Sequence, residues 1–235
     1  MANFSPTTGD SGGGSKKIIT IAIVVILALG LGYYLFKISG GQSTNGTDNF
    51  NLDNVEQSEK PVEMQADDHV LGNREAKNTI VAYEDIQCPA CKNYEPTLKA
   101  FPTSLADTKV IFRHFPLVNA HKNATAAAYA SEAASAQGKF WEWVGLAYER
   151  QSAWEGQGNP TEIFVEIARA AGVPDLEKFK SDVENKTFRD RVQRDVREGY
   201  ALNVGGTPTL FYNGVLLQLT GLDGIKQQAE AISKK

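Results

Sequence analysis

The chain of 235 residues carries only two cysteines, Cys88 and Cys91, separated by Pro89 and Ala90. Their setting constrains the fold more than any other feature. Thr79 to Tyr83 (TIVAY) is a short β-branched and aromatic run that reads as a buried strand. Pro89 falls where a helix can begin, and Tyr94, Leu98 and Phe101 follow at helical spacing. Lys109 to Phe115 (KVIFRHF) alternates as a second strand. Strand, helix and strand within about forty residues form a βαβ unit, with the cysteines at its first strand-to-helix junction. A ring closed between residues three apart constrains the unfolded chain little. Reactivity therefore explains the pair better than stapling.

The next eighty residues read as helical. Ala124 to Gln137 is Ala-rich, Phe140 to Tyr148 carries Trp141, Trp143 and Leu146, and Phe164, Ile167 and Ala171 mark a third apolar face. Leu176, Phe179 and Val183 mark a fourth, and Phe188, Val192, Val196 and Tyr200 a fifth. Pro160 and Pro174 suit helix starts. Strand character returns at Thr209 to Tyr212 and Val215 to Leu219, joined by Asn213-Gly214, a strong hairpin signal. A helix over Asp223 to Ser233 closes the chain. A parallel crossover needs only about a dozen residues. The order β-α-β, helical block, β-β-α therefore describes an α/β domain over 67–235 with a helical insertion at about 117–201.

The chemistry follows from the junction. With Pro89 in the first turn, Cys88 stands at the helix N-cap, facing unpaired N–H groups and the positive end of the helix dipole. Both favour the thiolate, which makes Cys88 the attacking or leaving sulfur. Cys91, one turn on, can close the ring and displace a bound substrate. Competing uses of two thiols are a structural zinc site, a copper carrier and an inert disulfide. Zinc needs four ligands, and His69, His114 and His121 show no H-x₃₋₅-H spacing. A copper carrier would use both thiols and one histidine. No metal and no other cofactor is expected.

Ahead of this domain lies a different kind of sequence. Residues 1–17 are polar and Gly-rich, a short cytoplasmic tail. Ile18 to Phe36 is nineteen residues without a charge, long enough at 1.5 Å per residue to span a ~30 Å hydrocarbon core. A cleaved signal peptide would have a shorter apolar run ending in small residues, whereas Tyr33, Tyr34, Leu35 and Phe36 crowd that place. The run reads as an uncleaved transmembrane anchor. Lys16 and Lys17 precede it and Lys37 follows, so the N-terminus is placed in the cytoplasm and the catalytic domain outside. Residues 37–66 are polar and aperiodic and read as a flexible linker.

Net charge is −4, with no basic field to engage nucleic acid. The charges of Arg189, Arg191, Arg194 and Arg197, interleaved with Asp190 and Asp195, read as a solvated helix face. Asn123 and Asn185 open glycosylation sequons of low specificity. His114 and His121 flank the entry to the helical block and read as structural, and Trp141 and Trp143 as its rim and core.

One motif remains, Gly205-Gly206-Thr207-Pro208-Thr209, just before the penultimate strand. Together with YEDIQCPAC, FRHFPL, NAHKNA, QGKFWEW and NVGGTPTLFYNG, it makes residues 67–235 resemble the membrane-anchored DsbA-like branch of the thioredoxin superfamily. The resemblance implies a thioredoxin-like fold, with Cys88 as exposed nucleophile and Cys91 as buried resolving cysteine. Pro208 would be a cis proline facing the sulfurs, with Thr207 offering its backbone to an extended substrate. The implied activity is insertion of disulfides into exported proteins bearing free thiols, with reoxidation by a quinone-linked membrane thiol oxidase. A reductase or isomerase on the same fold is the alternative, since reduction potential sets the direction.

Two departures stand out. Pro89-Ala90 lacks the histidine of strongly oxidising relatives, which implies a milder oxidant. The buried carboxylate that many relatives carry six residues before the first cysteine is Ala82 here. Glu84 shares that strand face by the period of two. It could substitute, but Glu84 and Asp85 read more simply as polar residues at a strand end.

Overall fold

The computed structural model describes residues 58–61 and 63–234. The tail, the apolar run Ile18 to Phe36 and most of the linker lie outside the described residues. Among those described, no helix is long and apolar enough to cross a membrane.

Five strands form one sheet in the order β1-β3-β2-β4-β5, from β1 (His69–Leu71), β2 (Asn78–Glu84), β3 (Thr108–His114), β4 (Thr209–Tyr212) and β5 (Val215–Leu216). Only β2 and β3 run parallel, in register from Asn78↔Thr108 to Glu84↔His114. All seven residues of β3 and the last five of β2 are buried, as central strands covered on both faces must be. The period of two sorts them. Ile80, Ala82, Val110, Leu210 and Tyr212 pack with Leu98 and Phe101 of α1 (Pro89–Ser104) and Ile225 and Ala229 of α8 (Leu222–Ser233). Val81, Tyr83, Ile111 and Phe211 pack on the opposite face with Phe115 and Val204. Asn213 and Gly214 take φ of 48° and 84° in the β4–β5 turn, the left-handed pair a two-residue hairpin requires.

Between β3 and β4 stand α2 (Ala124–Ser135), α3 (Phe140–Glu149), α4 (Gln151–Trp154), α5 (Thr161–Ala170), α6 (Leu176–Glu184) and α7 (Arg189–Ala201). Trp143, Trp154, Phe164 and Phe179, all fully buried, centre their core. That core is continuous with Phe112, Cys88 and Cys91, so the insertion packs directly on the redox junction. The Asp175 carboxylate caps α6 by accepting from Lys178 N–H at 2.9 Å.

Three readings of the sequence change. Strand β1 was not legible, because three residues show no period; it pairs antiparallel with β3 through His69↔Phe112. The linker makes contact before Asp67: Ser58 N–H donates to Ala201 C=O at 2.8 Å, and Arg74 donates to the carbonyls of Gln65 and Ala66 at 2.8 and 2.9 Å. The charges of α7 are not all solvated. The Asp195 side chain is 1% exposed and that of Arg191 9%, and they pair with each other. Asp195 also accepts from His114 N–H at 3.0 Å. Buried Arg113 of β3 binds Asp68 at 2.7 Å and Glu198 of α7. One face of α7 docks on the sheet, so a pattern that alternates along the sequence is split between protein and water.

Candidate active site

Helix α1 begins as the sequence indicates. Cys88 is the N-cap, with extended backbone (φ −72°, ψ 123°), and Pro89 is the first helical residue. Cys91 is 0% exposed. Cys88 is more covered than the resemblance implies, at 5% exposed; exposure belongs instead to Pro89 and Ala90 on its outer side. The covering group is the loop before β4. Its Thr207–Pro208 bond is cis, Pro208 is buried and Thr207 half-buried. Cys88 Sγ lies 3.4 Å from the Thr207 carbonyl oxygen. The Thr207 hydroxyl is buried without another hydrogen-bond partner, so it is available to a Cys88 thiolate. The structure thus gathers all six expected site residues, Cys88, Pro89, Ala90, Cys91, Thr207 and Pro208, at one end of the sheet.

The two sulfurs differ electrostatically. The Cys88 thiol is drawn down to about 5, chiefly by hydrogen bonding from Cys91, with burial opposing and Thr207 and the N–H groups of Cys91 and Ala90 assisting. Cys91 moves the other way: burial pushes its thiol far up, reinforced by the hydrogen bond it gives Cys88 and by the charges of Glu84 and Cys88. One sulfur is therefore a thiolate at neutral pH and a good leaving group, and the other keeps its proton.

Glu84 is not a solvated residue at a strand end. It is 2% exposed and lies one pleat beyond Ala82, on the strand face toward α1. Burial raises its carboxyl to about 8, against the lowering effect of hydrogen bonds with Cys91 and Tyr148. Tyr148 of α3 donates to Glu84 Oε2 at 3.3 Å. A carboxyl raised toward neutrality thus stands beside the buried thiol.

Sequence reasoning gave no site role to the residues that hold this junction. Cys88 N–H donates to Asp85 C=O at 2.9 Å, and the Asp85 carboxylate accepts from the N–H groups of Gln87 (2.7 Å) and Leu117 (2.9 Å). His121 Nδ1 meets Asp85 Oδ2 at 2.6 Å, so this histidine, read from the sequence as structural, stands in the site's surroundings. Gln87 Oε1 accepts from Asn123 N–H at 2.7 Å, and Gln151 donates to Ile86 C=O at 3.0 Å. Asn123 is 5% exposed, which removes it as a glycan acceptor in the folded chain. Leu117, His121, Asn123 and Gln151 sit 32 to 65 residues from their partners in sequence, and no local signal announces them.

The fold also joins residues that sequence spacing kept apart. His69 Nε2 and His114 Nε2 approach Glu132 Oε1 at 2.7 and 2.8 Å, and the three ligand atoms fall within 4.8 Å of one another. Among the described residues this is the grouping able to hold a metal ion. Arg191 Nε already faces the same oxygen at 3.9 Å, and the two imidazoles hold the Glu132 carboxyl far below its usual range despite its burial.

A mixed sheet, a CxxC at a helix N-terminus and a cis proline facing it define a thioredoxin-type redox fold. A family model described as Thioredoxin matches residues 64–231, and the chain belongs to that family. The fold is similar to that of oxidised BdbD from Bacillus subtilis, with TM-score 0.65 and 25% identity over 77% of this chain and 100% of that one. Pseudomonas aeruginosa DsbA2 shares the fold at TM-score 0.60, with 24% identity over 74% of this chain and 98% of that one. Among curated relatives, a Na(+)/H(+) antiporter NhaA 1 of Salinispora arenicola is 36% identical over 147 residues, 63% of this chain and 22% of the antiporter. The chain therefore spans about a fifth of that relative's length.

Proposed function

We propose that this domain works as an oxidase, passing a Cys88–Cys91 disulfide to exported proteins that carry free thiols. A substrate thiolate attacks Cys88 Sγ, and the bond to Cys91 breaks. Cys91 leaves with the electron pair and takes the proton held on Glu84, giving a mixed disulfide and a neutral Cys91 thiol. A second substrate thiolate then attacks the substrate sulfur; the substrate disulfide forms and Cys88 leaves as thiolate. Two electrons have moved from substrate to protein. What supports this direction is the place of Cys88 at the N-cap of α1, with its thiol drawn down to about 5: a stabilised thiolate favours the reduced protein, and so favours giving the disulfide away.

The remaining features of the reading are anchorage through Ile18 to Phe36, a domain outside the cell membrane, and reoxidation by a quinone-linked membrane thiol oxidase. Similarity to part of a Na(+)/H(+) antiporter supports a membrane setting for domains of this kind. The deciding experiment is the equilibrium of the Cys88/Cys91 pair with glutathione, run beside Cys91→Ala in cells. An oxidase gives a potential well above that of the glutathione pool and, in the variant, mixed disulfides that reductant removes. A potential below that pool makes the domain a reductase.

A further inference from the structure

One titratable side chain beside the redox centre has no role in these steps. His121 lies in the segment between β3 and α2, its own N–H given to Leu117 C=O at 2.8 Å. Its ring is fixed by the 2.6 Å contact with Asp85 Oδ2 and is 19% exposed, open enough to exchange protons with water. Asp85 stands three residues before Cys88 and takes the Cys88 N–H on its carbonyl. Its carboxylate is committed to the loop through the N–H groups of Gln87 and Leu117. A bare carboxylate in that place would oppose a thiolate at Cys88; an imidazolium bound to it cancels that charge.

The ring contacts Asp85 from the loop after β2, and the further charges that act on it are Cys88 at the start of α1 and Glu155 just after α4. Neighbouring Lys122 is turned away, its Nζ on Gly156 C=O at 2.8 Å. His121 holds its proton more tightly than usual, first through the Asp85 hydrogen bond and then, against burial, through the charges of Asp85, Cys88 and Glu155. Coupling between two sites is reciprocal: what the thiolate does for the imidazolium, the imidazolium does for the thiolate.

We propose that His121, held by Asp85, is the cation that supports the Cys88 thiolate, supplying from outside the CxxC the charge that Pro89-Ala90 lacks. This rests on the thiol–disulfide reading of the site. When the disulfide is reduced, Cys88 becomes a thiolate one residue beyond the Asp85 contact of His121 in the hydrogen-bond chain, and when it is reformed that charge disappears. The imidazole must therefore sense the redox state.

The test needs no substitution at first. The His121 ring protons are titrated by NMR in the oxidised and the reduced full-length protein, with His121→Gln used only to assign the signal. The imidazole pKa should be higher in the reduced form by roughly 0.5–1 unit, less than the ~1–3 units of a direct ion contact because Asp85 shares the charge. In His121→Gln, thiolate absorbance should place the Cys88 pKa higher by the same amount. The glutathione equilibrium should shift about three- to tenfold against the oxidant role, an effect that fades above the His121 pKa. His121→Lys should restore it. An imidazole pKa identical in both redox states overturns the proposal while leaving the redox reading intact. A wild-type Cys88 that titrates as an ordinary thiol overturns the redox reading, and this proposal with it.

Discussion

Oxidising the Cys88–Cys91 pair should change stability by an amount whose sign depends on pH. In the reduced fold the Cys88 thiol moves from 9.0 to about 5. Because the folded pKa is depressed, the contribution is full above the unfolded thiol's value and is lost as pH falls through about 5. At pH 7 only the folded state is ionised, two units above its pKa, which stabilises the reduced form by ~2.7 kcal/mol. The disulfide gives this up and gains loop-closure entropy, ~2 kcal/mol for so short a ring. Glu84 is buried in either redox state, so its cost largely cancels in the difference. The oxidised protein should therefore be the more stable by ~2 kcal/mol at pH 4, and the reduced protein by ~1 kcal/mol at pH 7. Paired chemical denaturation of both forms at the two pH values measures this. A reduced-minus-oxidised difference that moves by less than ~1 kcal/mol between them would refute the low thiol pKa from which it is derived.

Three further outcomes follow from the same geometry. Brief iodoacetamide treatment of the reduced protein at pH 6 should label Cys88 and spare Cys91, as mass mapping would show; equal labelling would remove the asymmetry of the pair. Glu84→Gln should slow formation of the mixed disulfide in stopped-flow assays, because the proton for the departing Cys91 is gone. It should also remove Glu84's own contribution, which declines between pH 4.5 and about 8, from the ordinary to the raised pKa, by on the order of 3 kcal/mol at pH 7, and which in the reduced protein opposes the gain from Cys88. Arg113→Met should cost about 3–5 kcal/mol in denaturant melts by removing the buried guanidinium that the Asp68 and Glu198 carboxylates share; a loss below ~1 kcal/mol would show that the pairing of α7 with β3 is energetically idle.

Much of this protein is written locally. β-branched runs, Pro89 at a helix start, Asn213-Gly214 between strands and the apolar spacing of the inserted helices each carry their own physical cause within a few residues. Order along the chain then restricts the topology, because a crossover as long as residues 117–201 must hold a subdomain. The cysteine pair was legible for the same reason, since a helix N-terminus acts on the residue that caps it whatever surrounds the helix. Strand β1 escaped because a three-residue strand exists only through its pairing with β3.

Environment was decided by the tertiary structure alone. Glu84, His121, Arg191 and Asp195 are charged in sequence and would be solvated on any isolated element. Burial in the assembled fold is what raises the Glu84 carboxyl toward neutrality, against the hydrogen bond that Tyr148 of the insertion gives it. His121 is tied to Asp85 across 36 residues of chain, and His69, His114 and Glu132 meet only because β1, β3 and α2 do. Periodicity reports which face of an element is apolar. Desolvation and Coulomb energy depend on what lies across the gap, and only the assembled fold defines that.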